Sequence, residues 1–280
     1  MKTINREAYL AFAKDISPQE QTLIANQEWL PAIIIDCHAH CNLPQHVHHV
    51  DDRTYKHMLS TFPSFSLKES QEWNTRFHPK KTILTLRFPK VFRGINHKEA
   101  NSYLLKQSPE HDRIALYGLS DDIDYTIKVL SHPRVSALKM YHSYPEPTAK
   151  KIYHYFPKKL LAVAQDNNTP IILHPPAQIT DCLDQVLRLI DDFPDLKICL
   201  AHVGLEKTLA VLAQNSLIAF DTALVPSADV IEAAISIVGE DKIMYGSDAP
   251  LHLVRSVAYQ HPKKGRRLAT NFSYHWANQT

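Results

Sequence analysis

The sequence predicts an α/β protein, a (β/α)8 TIM barrel, with residues 1–280 as a single domain and residues 1–31 as an N-terminal helical extension. Three observations predict it. Eight short runs rich in Ile, Leu and Val alternate with helical segments, as strands buried on both faces of a parallel sheet require. Chemistry-bearing side chains recur at the ends of those runs. A length of 280 residues matches one barrel better than an open doubly wound sheet.

Residues 3–29 read as one or two amphipathic helices carrying Tyr9, Leu10, Phe12, Leu23 and Ile24. Strand 1 lies in AIIIDCHAHC, residues 32–41. Residues 42–81 form a long first βα connection, helical near 53–74, that could act as a lid or a dimer arm. TILTLRF (82–88) is strand 2, followed by a helix at 97–107. RIALYGLS (113–120) is strand 3, and Ser120 and Asp121 cap a helix at 122–131. VSALKMY (135–141) is strand 4, with a helix at 148–167 behind it. PIILH (170–174) is strand 5, with a Thr180-capped helix at 180–192. LKICLAH (196–202) is strand 6, with a helix at 205–215. LIAFDTA (217–223) is strand 7, with a Ser-capped helix at 227–239 ending at Gly239. KIMYGSD (242–248) is strand 8, and residues 251–280 supply one or two helices. The tail ends at YHWANQT without an obvious end signal, so the chain could be a truncation that lacks a final packing helix.

Composition narrows the function classes. Basic and acidic residues balance, 31 against 29, which argues against a nucleic-acid or membrane-surface partner. Only 6 glycines are present, so Gly-rich phosphate loops are not expected. Cys37, Cys41, Cys182 and Cys199 lack metal-type spacing, and Cys37 and Cys199 fall inside strands. Reduced thiols, no signal-peptide core and no membrane-length apolar run predict a cytoplasmic protein. With 17 histidines in the chain, one histidine alone means little.

The pattern of histidines means more. Residues i and i+2 of a strand face the same side, so His38 and His40 can aim two imidazoles at one point. Strand 4 carries Lys139, strands 5 and 6 end in His174 and His202, and strand 8 ends in Asp248. In a barrel these ends meet at one mouth. Each residue alone has a plainer use: backbone hydrogen bonding for the histidines, N-capping for Asp248, a surface position for Lys139. Taken together they point to a metal site. Asp36 reads as a group that orients a ligand. Arg87, at the end of strand 2, could hold a substrate carboxylate or form a rim salt bridge. Tyr141 and His142 are further pocket candidates, with Arg93, Tyr144, Gln178 and Thr222 less specific. His46, His48 and His49 read as solvated loop residues.

Five segments, IIDCHAH, ALKMYHSYP, PIILHPP, CLAHVG and IMYGSDAP, resemble the amidohydrolase superfamily in its order and span residues 33–250. The last three look most like its branch of small aromatic-acid decarboxylases, hydratases and dicarboxylate lactonases. The resemblance implies that His38, His40, His174 and Asp248 hold a divalent ion, zinc first, with Mn2+ or Fe2+ as other candidates. Asp248 would also pass a proton, and His202 would polarise a carbonyl or bind a second ion. Lys139 would remain an ammonium beside one metal, the favoured version, or be carboxylated and bridge two.

The expected function is hydrolysis of a small ester, lactone or amide by a metal-activated water. The alternative is nonoxidative decarboxylation of a small aromatic or unsaturated acid. A nuclease would usually carry Glu where Lys139 stands. A non-catalytic metal-binding barrel would be expected to have lost ligands, and none is replaced. Substrate identity and oligomeric state, including a homodimer, are not encoded in these motifs.

Overall fold

The computed structural model describes residues 22, 26–48, 65–91, 94–141, 152–174, 183–203, 209–225 and 228–250, together with the backbone of 255–261 and 265–271. Eight parallel strands form the barrel in simple sequence order. They are β1 (Ile33–His40), β2 (Thr82–Phe88), β3 (Arg113–Tyr117), β4 (Val135–Tyr141), β5 (Ile171–His174), β6 (Ile198–Leu200), β7 (Ile218–Asp221) and β8 (Ile243–Met244). The helices between them are α1 (Leu67–Phe77), α2 (His97–Gln107), α3 (Ile123–Leu130), α4 (Ile152–Tyr155), α5 (Lys158–Asp166), α6 (Leu183–Asp192), α7 (Leu209–Leu212) and α8 (Ala228–Val238). At the seam between β8 and β1, the Cys37 amide donates to the Tyr245 carbonyl at 2.9 Å, and the His40 amide to that of Ala249 at 2.7 Å. The barrel is thereby nearly closed.

Local chemistry explains the helix starts. Ser66 and Glu69 form a reciprocal capping box at α1, with the Ser66 amide donating to Glu69 Oε2 at 2.7 Å. Asn96 caps α2 through the Glu99 amide at 3.2 Å. Asp122 caps α3 through the Tyr125 amide at 3.0 Å, in place of the expected Ser120 and Asp121. The helix expected at 148–167 is two helices separated at Phe156 and Pro157, because proline has no amide to continue the ladder. The tail corrects another expectation: β9 (Arg255–His261) and β10 (Gly265–Asn271) pair antiparallel where helices were expected. Apart from a few residues of 22–31, the N-terminal extension lies outside the described residues, as do 49–64 of the first connection. Its described parts are a 3-10 turn at Pro44–His46 and α1.

Two apolar layers hold the strands. Leu116, Leu138, Leu173, Leu200 and Phe220 pack outward against helix residues such as Leu160, Val186 and Leu189. Inside the barrel, Phe88, Ala115, Ala137, Ile172, Cys199 and Ala201 form a layer of mostly small side chains. That layer is the floor on which the strand-end groups stand.

Candidate metal centre

His38 and His40 lie at the end of β1, where the pairing with β2 shifts register between Asp36 and Ala39. Both rings are buried and both touch Phe88 edge-on. His38 Nδ1 is 2.7 Å from Asp221 Oδ2, so its Nε2 faces inward, 3.3 Å from Asp248 Oδ1. His40 Nδ1 donates to the Pro89 carbonyl at 3.0 Å, which turns its Nε2 inward too. Gly246 lets β8 run this close, since a Cβ there would lie 2.7 Å from that of His38.

Asp248 lies four residues beyond the short β8, with φ of 55°, and its amide donates to the His38 carbonyl at 2.7 Å. Asp36 braces the same tip: its Oδ1 accepts from the amides of Ser247 and His38, and its Oδ2 from the Ser247 hydroxyl. Asp36 therefore orients its neighbours through the backbone rather than through an imidazole.

Three buried atoms at this point have no hydrogen-bond partner among the described residues: His40 Nε2 and both oxygens of Asp248. His40 Nε2 is only 3.0 Å from Asp248 Oδ1, close in distance but misaligned for a hydrogen bond. A nitrogen lone pair and a carboxylate aimed side by side into a buried space form a ligand arrangement, and leaving them unpaired is otherwise costly.

His202 completes the cluster. It lies two residues past β6, with φ of 63°; its Nδ1 donates to the Ala223 carbonyl at 2.8 Å, leaving Nε2 as acceptor. Ligand atoms of His38, His202 and Asp248 all fall within 4.8 Å of one another. His174, at the end of β5, joins through His202, its Nδ1 2.9 Å from His202 Nε2. The five expected residues thus converge, with His202 nearer the centre and His174 further out than the resemblance alone implied.

Electrostatics favour metal binding. Burial lowers the pKa of His40 to about 4, and burial with the neighbouring His202 pushes His174 well down. Burial lowers His202 as well. These rings are neutral near pH 7, as ligands must be. Burial opposes a charge on His38, but the Asp221 and Asp248 carboxylates outweigh it and raise its pKa. Burial also opposes charge on Asp248, yet His38 and His40 hold its carboxyl well below the usual range. The cluster therefore contains an ionised carboxylate, three imidazoles held neutral and His38, whose proton a metal would displace, a donor set suited to zinc and related divalent ions.

Lys139 is fully buried under the cluster, its Nζ 3.5 Å from His38 Nε2. Burial lowers its pKa to about 8, resisted by the carboxylates of Asp221 and Asp248. Nζ also lies over the rings of Phe88 and Tyr141, at 4.6 and 5.1 Å. Tyr141 stacks on His174 with ring centroids 4.2 Å apart. His142 lies outside the described residues, as do Arg93, Tyr144 and Gln178.

Arg87 is not part of this cluster. Phe88 and Leu86 point into the barrel, so alternation sends Arg87 outward to the helix layer. There its Nε donates to Asp112 Oδ2 at 2.6 Å and one terminal nitrogen to Ser70 Oγ at 2.7 Å. Of the two uses expected for Arg87, the structure shows the salt bridge, with Asp112 and buried rather than exposed on the rim. Asp221 is the group that strand-end reasoning passed over. It ends β7 in LIAFDTA, and an acidic residue at a strand end was the only available signal.

The comparisons agree with this architecture. A sequence model of the amidohydrolase family matches residues 35–270, and the chain belongs to that family. No curated protein matches the chain in sequence. Among solved structures, it is similar to 5-carboxyvanillate decarboxylase from Sphingomonas paucimobilis at 13% identity and a TM-score of 0.55, over 79% of this chain and 89% of that one. A structure from Acinetobacter baumannii, named as a probable 2-pyrone-4,6-dicarboxylic acid hydrolase with citric acid bound, matches at 16% identity and a TM-score of 0.58, over 78% and 84%. The 5-carboxyvanillate decarboxylase of Novosphingobium aromaticivorans, with manganese and a nitrobenzoic acid bound, matches at 11% identity and a TM-score of 0.55, over 80% and 89%. At these identities the likeness speaks to the fold. No helix among the described residues is long and apolar enough to cross a membrane.

Proposed function

We propose that the chain is a metal-dependent hydrolase of a small ester, lactone or amide. The observation that carries this reading is the buried, unpaired trio of His40 Nε2 and the two Asp248 oxygens. With His38 Nε2 and His202 Nε2 beside it, and His174 behind, the trio offers the donors for one divalent ion, which we assign as zinc. When bound, the ion supplies a water acidified toward a pKa of about 7 and a positive centre for a substrate oxygen. Asp248, ionised, takes a proton at one oxygen and returns it to the leaving group. Lys139 stays an ammonium, because its contacts with the Phe88 and Tyr141 rings stabilise a cation and not a carbamate. A single ion follows from that. Reduced, buried Cys37, Cys41 and Cys199 suit a cytoplasmic enzyme.

The aromatic walls favour a second reading. Tyr141, stacked on His174, and Phe88 border the cluster, so an aromatic acid could lie against them and lose carbon dioxide. Two of the similar structures are named as decarboxylases. The test is an assay of zinc- and manganese-loaded protein on lactones, esters and amides, with carbon dioxide release measured from dihydroxybenzoates. Chelator-sensitive hydrolysis supports the first reading. Carbon dioxide release without hydrolysis replaces it with the second, and neither activity, with metal bound, rejects both substrate classes.

A further inference from the structure

Asp221 has no role in the reading above, and its surroundings give it one. It is the last residue of β7 and fully buried. Four donors converge on it. The amides of His202 and Ala223 donate to Oδ1 at 2.9 and 3.0 Å. His38 Nδ1 lies 2.7 Å from Oδ2, and the Cys199 thiol points at the same oxygen from 3.8 Å. It is therefore an acceptor on every side.

We infer that Asp221 is the positioning residue of the metal centre, setting the His38 tautomer through one oxygen and the His202 backbone through the other. The inference rests on the metal-centre reading proposed above. Oδ2 only accepts, so His38 Nδ1 carries the hydrogen and the Nε2 lone pair is left facing Asp248. His202 sits at φ 63°, in the left-handed region that few non-glycine residues occupy. Asp221 Oδ1 holds its amide, and the Ala223 carbonyl, two residues along, holds its ring. The tip of β7 thus aligns a ligand from β1 with one from beyond β6.

An amide of the same shape cannot do this. If Asn placed its oxygen on the two backbone amides, its NH2 would face His38 Nδ1. That nitrogen would then have to accept, moving the ring hydrogen to Nε2 and blocking the lone pair. Turned round, the NH2 would face two N–H donors.

The test compares wild type with Asp221→Asn, both stripped of metal. Zn2+ affinity is measured by competition with a chromophoric chelator, Co2+ loading by its visible spectrum, and the metal-free fold by its melting temperature. The expected result for Asp221→Asn is a Zn2+ affinity about 10–100-fold weaker. The Co2+ spectrum should change, with little change in metal-free melting. A residue that serves only the fold would lower melting but leave the affinity and spectrum of the folded protein intact, and that result overturns the inference. If Asp221→Asn does not fold, Asp221→Ser, smaller and also unable to serve all the donors, carries the same expectation. A wild type that binds neither ion removes the metal-centre reading and this inference together. A wild type that binds, with a variant that matches it, removes the inference alone.

Discussion

At the scale of residues, the centre is defined by which nitrogen of each ring is already occupied. His40 spends Nδ1 on Pro89 and His202 spends its own on Ala223, so each presents Nε2. Replacing His40 or Asp248 by Ala should weaken Zn2+ binding by at least about 100-fold, the scale expected when a direct donor is lost rather than its support. Chelator competition measures it, and unchanged affinity in both variants would remove them from the centre. The pH dependence has a definite sign. The pKa of His38 is raised, so protons compete with the metal at its Nε2; affinity should fall as pH drops through that raised value and level off above it. Affinity that rises on acidification would contradict this. The histidines were legible in the sequence because few residue types bind metals and four of them, with Asp248, sat at strand ends. Asp221 was less so, since an Asp after a strand reads equally well as a turn former. Its value lies in the atoms it faces, and only the tertiary structure shows those.

At the scale of elements, strands and helices were largely legible, and their ends were not. The apolar runs of β2 and β4 match the observed spans, whereas β6 and β8 are shorter than their runs because His202 and Asp248 turn out of the sheet at positive φ. Arg87 shows a second limit. Strands buried on both faces have no polar alternation, so the sequence does not say which side of β2 faces in. In the structure Arg87 ties β2 to Asp112, just before β3, and to Ser70 on α1. Arg87→Met should therefore cost about 3–5 kcal/mol of stability, because it strands a buried carboxylate. Urea unfolding reads the loss; a KM effect with full stability would return Arg87 to the substrate. On the other flank of β1, Gly246→Ala would place a methyl 2.7 Å from His38 Cβ, against a packed strand end. It should lower both the melting temperature and the metal affinity, and a variant that keeps both would show that β8 can move away.

At the scale of the whole molecule, the barrel brings β1, β5, β6 and β8 to one mouth, and the ion would join segments as distant as residues 38 and 248. A ligand bound only by the folded state should stabilise it by about 2.7 kcal/mol at a concentration of 100 times its dissociation constant. Melting temperature should accordingly rise with added zinc in wild type and not in Asp248→Ala. The eightfold alternation made the barrel legible from sequence. The tail was misread because its β9–β10 pairing depends on register between two polar runs and not on a helical period. The most direct measurement is the metal content of the purified, zinc-equilibrated protein by elemental mass spectrometry, beside Asp248→Ala. About one zinc per chain, lost in the variant, is the predicted result for a set of imidazoles and one carboxylate that leaves a position open for water. About two would make Lys139 a carboxylated bridge, and none, with manganese and iron also supplied, would contradict the metal centre itself.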